Sequence, residues 1–587
     1  VQLSLDKKSI VYDLKIGQFQ LLAMQLRRPL VLGSLLLLLV PICLPFFFIH
    51  RFGTNLPLLD EWYYLMRFQA WQTGHTSLLD LLTVQNNEHR VGVACLVEVF
   101  LGCLSHCSSL WQMYGFATCR VFTACLLIDL LNTDRRNWSM ACLLGVPIVL
   151  HLCSLRQWEN LLWGFQLCIG LSCLFFVLMV WLLCKYRSSS IAFGGAILAA
   201  FSATFSFANG LLAWPIGFLI VLDRGDKSWT ARKLSQCLAW SIAGCLTVLA
   251  YFLNFQLTDA LLQKSDQHAS LLDRLSFVLA GLGNSLGQTK IECLIAGGVT
   301  GVLTVGAIVA ITKMRSVKSS EPGLALLLYG LGSVFLTVIG RCDPGWERAT
   351  NSRYSSFTDF VLVGIYMTLV MPRVNRFWAG LIATIILVGY SAQIWGSMVP
   401  AGIMRDYCRN KVQTLINWQL MNRQTRASFI PENPKFDELL SFLRQQKLSL
   451  FWQSNSDARL EAATKHPFFD LDIASSDSAD RRCLHFKKNS SDRLVFSGWA
   501  IDPGKLRPAQ SPQIVVDDLY AFPCRAGKLR PDVARIFQNP NLLKCGFEAE
   551  LIPAEWLPGV HSIRFKTYDF ARQTYWLSGR LASLIVD

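Results

Sequence analysis

PLVLGSLLLLLVPICLPFFFIH, residues 29–50, is apolar but for Ser34 and His50 and has the length that crosses a bilayer. Soon after it the chain reads Asp60-Glu61-Trp62-Tyr63-Tyr64, and later Asn86-Asn87-Glu88-His89-Arg90. Acids kept beside a membrane surface cost free energy and demand a reason. The first run decides the fold class; the two polar stretches after it point to where function lies.

Working outward, apolar runs of spanning length recur up to about Pro400. The 587 residues are 52% hydrophobic and only 16% charged, where a soluble chain is nearer one quarter charged. The expectation is a polytopic α-helical membrane protein followed by a water-exposed C-terminal part. The net charge of +15 is then mostly topology, since Lys and Arg collect on the cytoplasmic side. No basic face with interleaved aromatics stands apart from the loops, so nucleic acid is not an expected partner.

The N-terminal segment 1–28 carries Lys7, Lys8, Lys15, Arg27 and Arg28 and is expected inside, with 29–50 a signal anchor. Further spans are expected at 111–131, 139–155, 161–184, 190–207, 210–222, 235–256, 291–313, 322–341, 355–372 and 376–398. Loops then alternate so that Asp134-Arg135-Arg136, Lys185-Tyr186-Arg187, Arg224 to Lys233, Lys313 to Lys318 and Arg373 to Arg376 all fall inside. This parity requires 90–106 to be interfacial or re-entrant within a first outer loop, 51–110, and 270–288 likewise. The total is about eleven spans (range roughly 10–13). An odd count places residues beyond 400 outside.

The loops expected outside carry the unusual residues. Asp60 and Glu61 suit a general base, a ligand pair for a divalent cation such as Mg or Mn, or both; the plainer reading of Asp60 is a helix N-cap. Trp62 to Tyr64 fit interfacial anchors. In Glu88-His89-Arg90, Arg90 suits a phosphate held bidentately and His89 a proton carrier; a charged helix cap is the alternative. Arg156, Trp158, Glu159 and Asn160 sit in a short turn, with Trp163 and Gln166 after them. Asn209 shares the same expected face. Arg341 to Tyr354 holds three arginines where few are expected. An anion on Arg348 or Arg353, beside Tyr354, explains them, and ion pairing with Glu347 or Asp343 is the alternative.

Most of the nineteen cysteines lie inside apolar runs and read as small hydrophobes. Cys524 and Cys545 form a disulfide if extracytoplasmic, or remain two thiols. Residues 401–490 read as a linker with helices. From 491 to 587, short β-branched runs at Leu494, Ile514, Phe547 and Ile563 alternate with turns at Asp502-Pro503-Gly504, Arg530-Pro531-Asp532 and Pro558-Gly559. That pattern predicts a small all-β, sandwich-like module.

A helix, an outer loop with an acidic pair, many spans and an outer C-terminal domain resemble the GT-C membrane glycosyltransferases. The run LDEW (59–62), NEHR (87–90), RQWENLLWGFQ (156–166), FSFANGLLAWP (205–215) and SRY (352–354) is similar to a set of uncharacterised bacterial multi-span proteins of that type. The segments Gly498 to Asp502, Arg530 to Ala534 and Gly546-Phe547 resemble a β module appended to bacterial glycosyltransferases. The resemblance implies a multi-pass protein of the bacterial inner membrane, with its N-terminus cytoplasmic and its C-terminal domain extracytoplasmic. It also implies a polyprenyl-phosphate sugar donor held with membrane lipid, a glycan, lipid or protein acceptor, and Asp60 and Glu61 as the acids. Two alternatives stand beside it. A flippase of lipid-linked saccharide predicts charges deep within helices, and none is evident in the sequence. A noncatalytic anchor presenting a sugar-binding module predicts that Asp60 and Glu61 are replaceable.

Overall fold

The computed structural model describes residues 37–132, 138–223, 230–256, 270–313, 321–342, 345–370, 376–429, 435–452, 468–474, 483–486, 493–502, 506–569 and 574–587. The expected N-terminal segment, most of the basic inner loops, Asp343 and the turn at Pro503-Gly504 lie outside these residues. The chain divides into two units, Val1–Arg405 and Asp406–Asp587.

The first unit is helical. In chain order it contains α1 (Leu37–Phe52), α2 (Glu61–Gln72), α3 (Gly92–Ser105), α4 (Ser109–Leu131) and α5 (Trp138–Leu152). There follow α6 (Leu167–Lys185), α7 (Ser190–Thr204), α8 (Ala213–Leu222), α9 (Ala231–Phe252) and α10 (Leu271–Gly283). The last are α11 (Lys290–Lys313), α12 (Glu321–Arg341), α13 (Ser355–Val370) and the part up to Arg405 of α14 (Arg376–Ile416). Among the described residues seven helices are long and apolar enough to cross a membrane: α4, α5 with the turns after it, α6, α9, α11, α12 and most of α14. The expected spans at 29–50, 190–207 and 210–222 coincide with the shorter apolar helices α1, α7 and α8, and the segment 90–106 is the short helix α3.

Helix α13 is buried from Ser355 to Leu369 and forms the axis of the bundle. Its closest neighbour is α12. A Cβ added to Gly364 falls 2.5 Å from the backbone nitrogen of Leu327, and one added to Gly330 falls 2.8 Å from that of Val361. Small residues therefore let the two backbones touch, which is how helices associate where hydrocarbon supplies no hydrophobic drive.

Charges also lie in this interior, contrary to the sequence reading. Arg120 of α4 is 1% exposed, Asp359 of α13 2% and His151 of α5 2%. Arg120 pairs with Asp359 and donates to the carbonyl of Leu152 at 3.0 Å. His151 Nε2 stands 3.5 Å from the other oxygen of Asp359. The Asp359 carboxylate thus ties α13 to α4 through Arg120, the partner a buried charge requires, and His151 Nε2 of α5 lies beside it without a hydrogen bond among the described residues.

In the second unit, helical turns at Arg423–Phe429 and Phe436–Gln445 precede two sheets. The strands are β3 (Phe468–Ala474), β4 (Cys483–Phe486), β5 (Leu494–Asp502), β6 (Arg507–Pro508), β7 (Gln510–Val516), β8 (Tyr520–Pro523), β9 (Arg525–Lys528), β10 (Gly546–Leu551), β11 (Gly559–Asp569), β12 (Thr574–Leu577) and β13 (Ala582–Val586); β1 and β2 belong to the first unit and are given below. One sheet runs β3-β5-β10-β9 with β6 on β5. The other runs β4-β13-β11-β7-β8 with β12 on β11, antiparallel except where β13 meets β4. β3 and β4 precede residue 491, so the sheets draw on the segment expected to be linker. Cys524 and Cys545 are free thiols. They pack in different apolar clusters, which separates them.

Phe565 of β11 stacks on Phe547 of β10 at 4.8 Å and on Phe469 of β3 at 5.0 Å, joining the two sheets. It is fully buried. Phe565→Ala therefore lowers the unfolding free energy of this unit by about 3–5 kcal/mol. Urea denaturation followed by tryptophan fluorescence checks this, and a loss under about 1 kcal/mol contradicts the packing described.

Candidate functional site

Five segments distant in sequence meet at one end of the bundle, and each is folded there by local chemistry. The first contains Asp60, at the N-cap of α2. Its side chain makes no capping bond, so capping does not account for it. The carboxylate lies instead beside the carboxamides of Asn86 and Asn87, with the guanidinium groups of Arg353 and Arg67 nearby. Burial raises its pKa above the ordinary carboxylate value, and Asn86 and Arg353 oppose the rise.

Glu61 goes elsewhere. It is 1% exposed. One oxygen accepts from the backbone N–H of Leu58 at 2.8 Å and from Ser109 Oγ at 3.2 Å, and the other from the N–H of Phe165 at 3.0 Å. A Cβ on Gly164 would fall 2.2 Å from that second oxygen, so only glycine admits the acid. The acid pair expected to act together is divided: Asp60 borders the site, and Glu61 ties α2, α4 and the turn before α6. Desolvation raises the Glu61 pKa to about 7 despite these donors. The folded value exceeds the unfolded one, so its favourable contribution is full below about pH 4.5 and is lost as pH rises through about 7. The melting temperature of wild type relative to Glu61→Gln is therefore expected to decline across that window and stay level above about pH 8. A constant difference from pH 4.5 to 8 contradicts the assignment.

The second segment is a hairpin, β1 (Gln85–Asn86) and β2 (His89–Arg90), with Asn86 opposite His89. Asn87 takes the turn at φ 49°, a conformation asparagine tolerates. Glu88 pairs with Arg341 at 2.8 Å. His89 stacks on Phe207 with ring centroids 3.9 Å apart. Among the described residues its Nδ1 and Asn209 Nδ2 are buried without a hydrogen-bond partner. Desolvation lowers the His89 pKa to about 4, so the imidazole is neutral at ordinary pH. It offers a hydrogen bond and no positive charge.

Arg90, expected to hold a phosphate, is used otherwise. Its Nε donates to the carbonyl of Tyr251 at 3.1 Å, and its terminal nitrogens donate to the carbonyls of Thr83 and Leu253. It closes the C-terminal end of α9, where a cation satisfies orphan carbonyls, and its guanidinium is engaged. Arg156 is likewise occupied: it donates to Asn284 Oδ1 at 2.7 Å and to the carbonyl of Thr350 at 2.6 Å. Asn284 in turn donates to the carbonyls of Ala349 and Asn351.

Glu159 accepts from Ser352 Oγ at 2.7 Å and from the backbone N–H of Arg353 at 3.0 Å. Asn160 Nδ2 donates to the carbonyl of Arg353 at 2.9 Å and to Ser356 Oγ at 2.7 Å. Arg156, Glu159 and Asn160 were expected to contact substrate; they hold the backbone of 349–356. Trp158 beside them is half-buried. With that backbone fixed, the Arg353 guanidinium lies 5.3 Å from the Tyr354 ring centroid and near Asp60. Arg348 is exposed.

The site as folded brings together Asp60, Asn86, Asn87, His89, Phe207 and Arg353, with Tyr354 against Arg353, Asn209 two residues after Phe207, and Glu88–Arg341 at its border. Sequence reading missed Arg67, Asn86, Asn87 and Phe207 as site residues; the FANG and NNEHR stretches contained three of them. Arg120 and Asp359, charges inside expected spans, carried a signal that was passed over. Among the described residues no group of three or more His, Cys, Asp or Glu side chains could hold a metal ion. Glu61, one of the two acids expected to hold a divalent cation, accepts the backbone N–H groups of Leu58 and Phe165.

No protein-family model, curated protein or solved structure matches the chain.

Proposed function

We propose that this chain is a membrane glycosyltransferase that moves a sugar from a polyprenyl-phosphate-linked donor to an acceptor on the extracytoplasmic face of a bacterial inner membrane. One observation supports the reading: a partly desolvated carboxylate, Asp60, lies within electrostatic reach of a backbone-anchored arginine, Arg353, at the end of an apolar helical bundle. A base and a phosphate-binding cation on opposite sides of a reacting centre are what such a transfer requires.

Asp60 removes the proton of the acceptor hydroxyl. The hydroxyl oxygen attacks the anomeric carbon and forms the new glycosidic bond. The bond from that carbon to the phosphate oxygen breaks, and its electron pair leaves with the lipid phosphate. Arg353 takes up the growing negative charge. Inversion at carbon follows from this single displacement. Neutral His89 and the carboxamides of Asn86 and Asn209 hydrogen-bond sugar hydroxyls, and Phe207 backs the His89 ring. No step is assigned to a metal. The topology consistent with this reading has the N-terminus inside, about eleven crossings and the β unit outside.

A lipid-linked saccharide flippase is the second reading, favoured by the Arg120–Asp359–His151 cluster in the bundle interior. The test compares membranes from a deletion strain carrying wild type, Asp60→Asn or Arg353→Ala, with surface glycans and polyprenyl-linked sugars read by mass spectrometry. Loss of one glycan with its lipid-linked donor accumulating on the outer leaflet supports transfer. Accumulation on the inner leaflet supports flipping. Unchanged glycans in both variants at normal protein levels overturn both and leave the anchor reading.

A further inference from the structure

The two helices that bracket the candidate site at one end enclose a cavity at their other end. α8 begins just after Asn209, and α12 ends at Arg341, the partner of Glu88. Glu321 starts α12. At 1.5 Å per residue it lies about 30 Å from Arg341, close to the thickness of a bilayer's hydrocarbon. Between Leu219 and Leu222 of α8 and Leu324 and Leu328 of α12 there is a cavity of about 300 Å³, with Asp223 and Glu321 on its wall.

The wall is apolar except for the two acids. Glu321 is 5% exposed. One of its oxygens pairs with Arg187; the other, Oε1, is buried and receives no N–H donor among the described residues, and the Asp223 carboxyl group lies against the Glu321 side chain. An unpaired buried acceptor of this kind costs free energy unless a donor reaches it. Asp223 sits at the C-cap of α8, where the helix end adds partial negative charge. The site therefore asks for a cationic donor, next to a guanidinium that suits an anion, at the end of a hydrocarbon-sized slot.

We propose that this cavity binds one acyl chain of a membrane lipid whose zwitterionic head group ends in a primary ammonium. The ammonium donates to Glu321 Oε1 and Asp223, the lipid phosphate lies by Arg187, and the chain follows the leucine wall. A primary ammonium has three N–H donors for these oxygens; a trimethylated one has none, and a glycerol head group lacks the positive charge. The inference stands independently of the transfer proposed above.

The test uses purified, delipidated full-length protein titrated with phosphatidylethanolamine, phosphatidylcholine and phosphatidylglycerol of identical chains, with binding read by native mass spectrometry. Phosphatidylethanolamine is expected to bind about tenfold more tightly than the other two, the scale of one charge-assisted hydrogen bond. Glu321→Gln is expected to abolish that preference while lipid still binds. Leu324→Trp, which fills the slot, is expected to remove the tight site. Should it misfold, Ala325→Leu fills the same space with a smaller side chain and decides the matter. Equal affinity of wild type for the three lipids, or undiminished binding in a folded slot-filling variant, overturns the proposal.

Discussion

Asp60→Asn is expected to lower sugar transfer by about 10²–10⁴-fold, the usual contribution of a positioned general base, while the protein accumulates to its normal level. The substitution keeps shape and removes basicity. It leaves undisturbed the bonds that hold α2, because those are made by Glu61. Glu61→Ala should behave in the opposite way. It strands the N–H groups of Leu58 and Phe165 in the interior, so folded protein falls and the activity of the surviving fraction changes little. Initial rates in membranes, divided by the amount of folded enzyme, separate the two effects. If Asp60→Asn retains more than a tenth of wild-type activity, Asp60 is not the base. The acid limb of the wild-type pH–rate profile should also lie above the ordinary carboxylate range, because burial raises the Asp60 pKa.

The second large effect is on stability. Arg120→Met leaves the Asp359 carboxyl group buried without its cation, with only His151 beside it, and is expected to cost about 3–5 kcal/mol, as breaking a buried pair does. Asp359→Asn should cost a similar amount through the uncompensated guanidinium. The double substitution Arg120→Met with Asp359→Leu removes both charges and should recover most of the loss. Thermal unfolding in detergent at one scan rate reads all three variants. Additive losses in the double variant contradict coupling between the pair. Arg120 also donates to the carbonyl of Ser356 at 3.3 Å, and Ser356 binds Asn160 and Gln157. The cost should therefore reach the Arg353 backbone.

Apolar run length marked out the helices, since length and polarity are local properties of the chain. The sheets followed from alternation in strands such as Leu494–Asp502, where inward and outward residues take turns. Where a short strand is separated from its neighbours, as with Phe468–Ala474, no local signal places it, and pairing with β5 supplies the rest. The site was legible as a set of loops and illegible as a division of labour. Arg90, Arg156 and Arg353 look alike in sequence, each an arginine in a polar loop. What separates them is whether backbone carbonyls elsewhere in the chain reach the guanidinium, and those partners lie 128 to 194 residues away in the cases of Asn284, Tyr251, Leu253 and Thr350. Asp60 and Glu61 differ for the same reason: adjacent residues on a helix point in different directions, and the neighbours in each direction come from distant segments.

The bond between Glu88 and Arg341 has a consequence in time. Its partners are 253 residues apart. At a synthesis rate of about 5–20 residues per second, Glu88 emerges from the ribosome roughly 13–50 s before Arg341 exists. Asp60 waits longer still for Arg353. The early loop is thus made, threaded past the translocon and kept hydrated as an open acidic segment, and it closes only when the last third of the bundle is inserted. A ribosome stalled before α12 displays a chain that has Asp60 and Glu88 and lacks both Arg341 and Arg353.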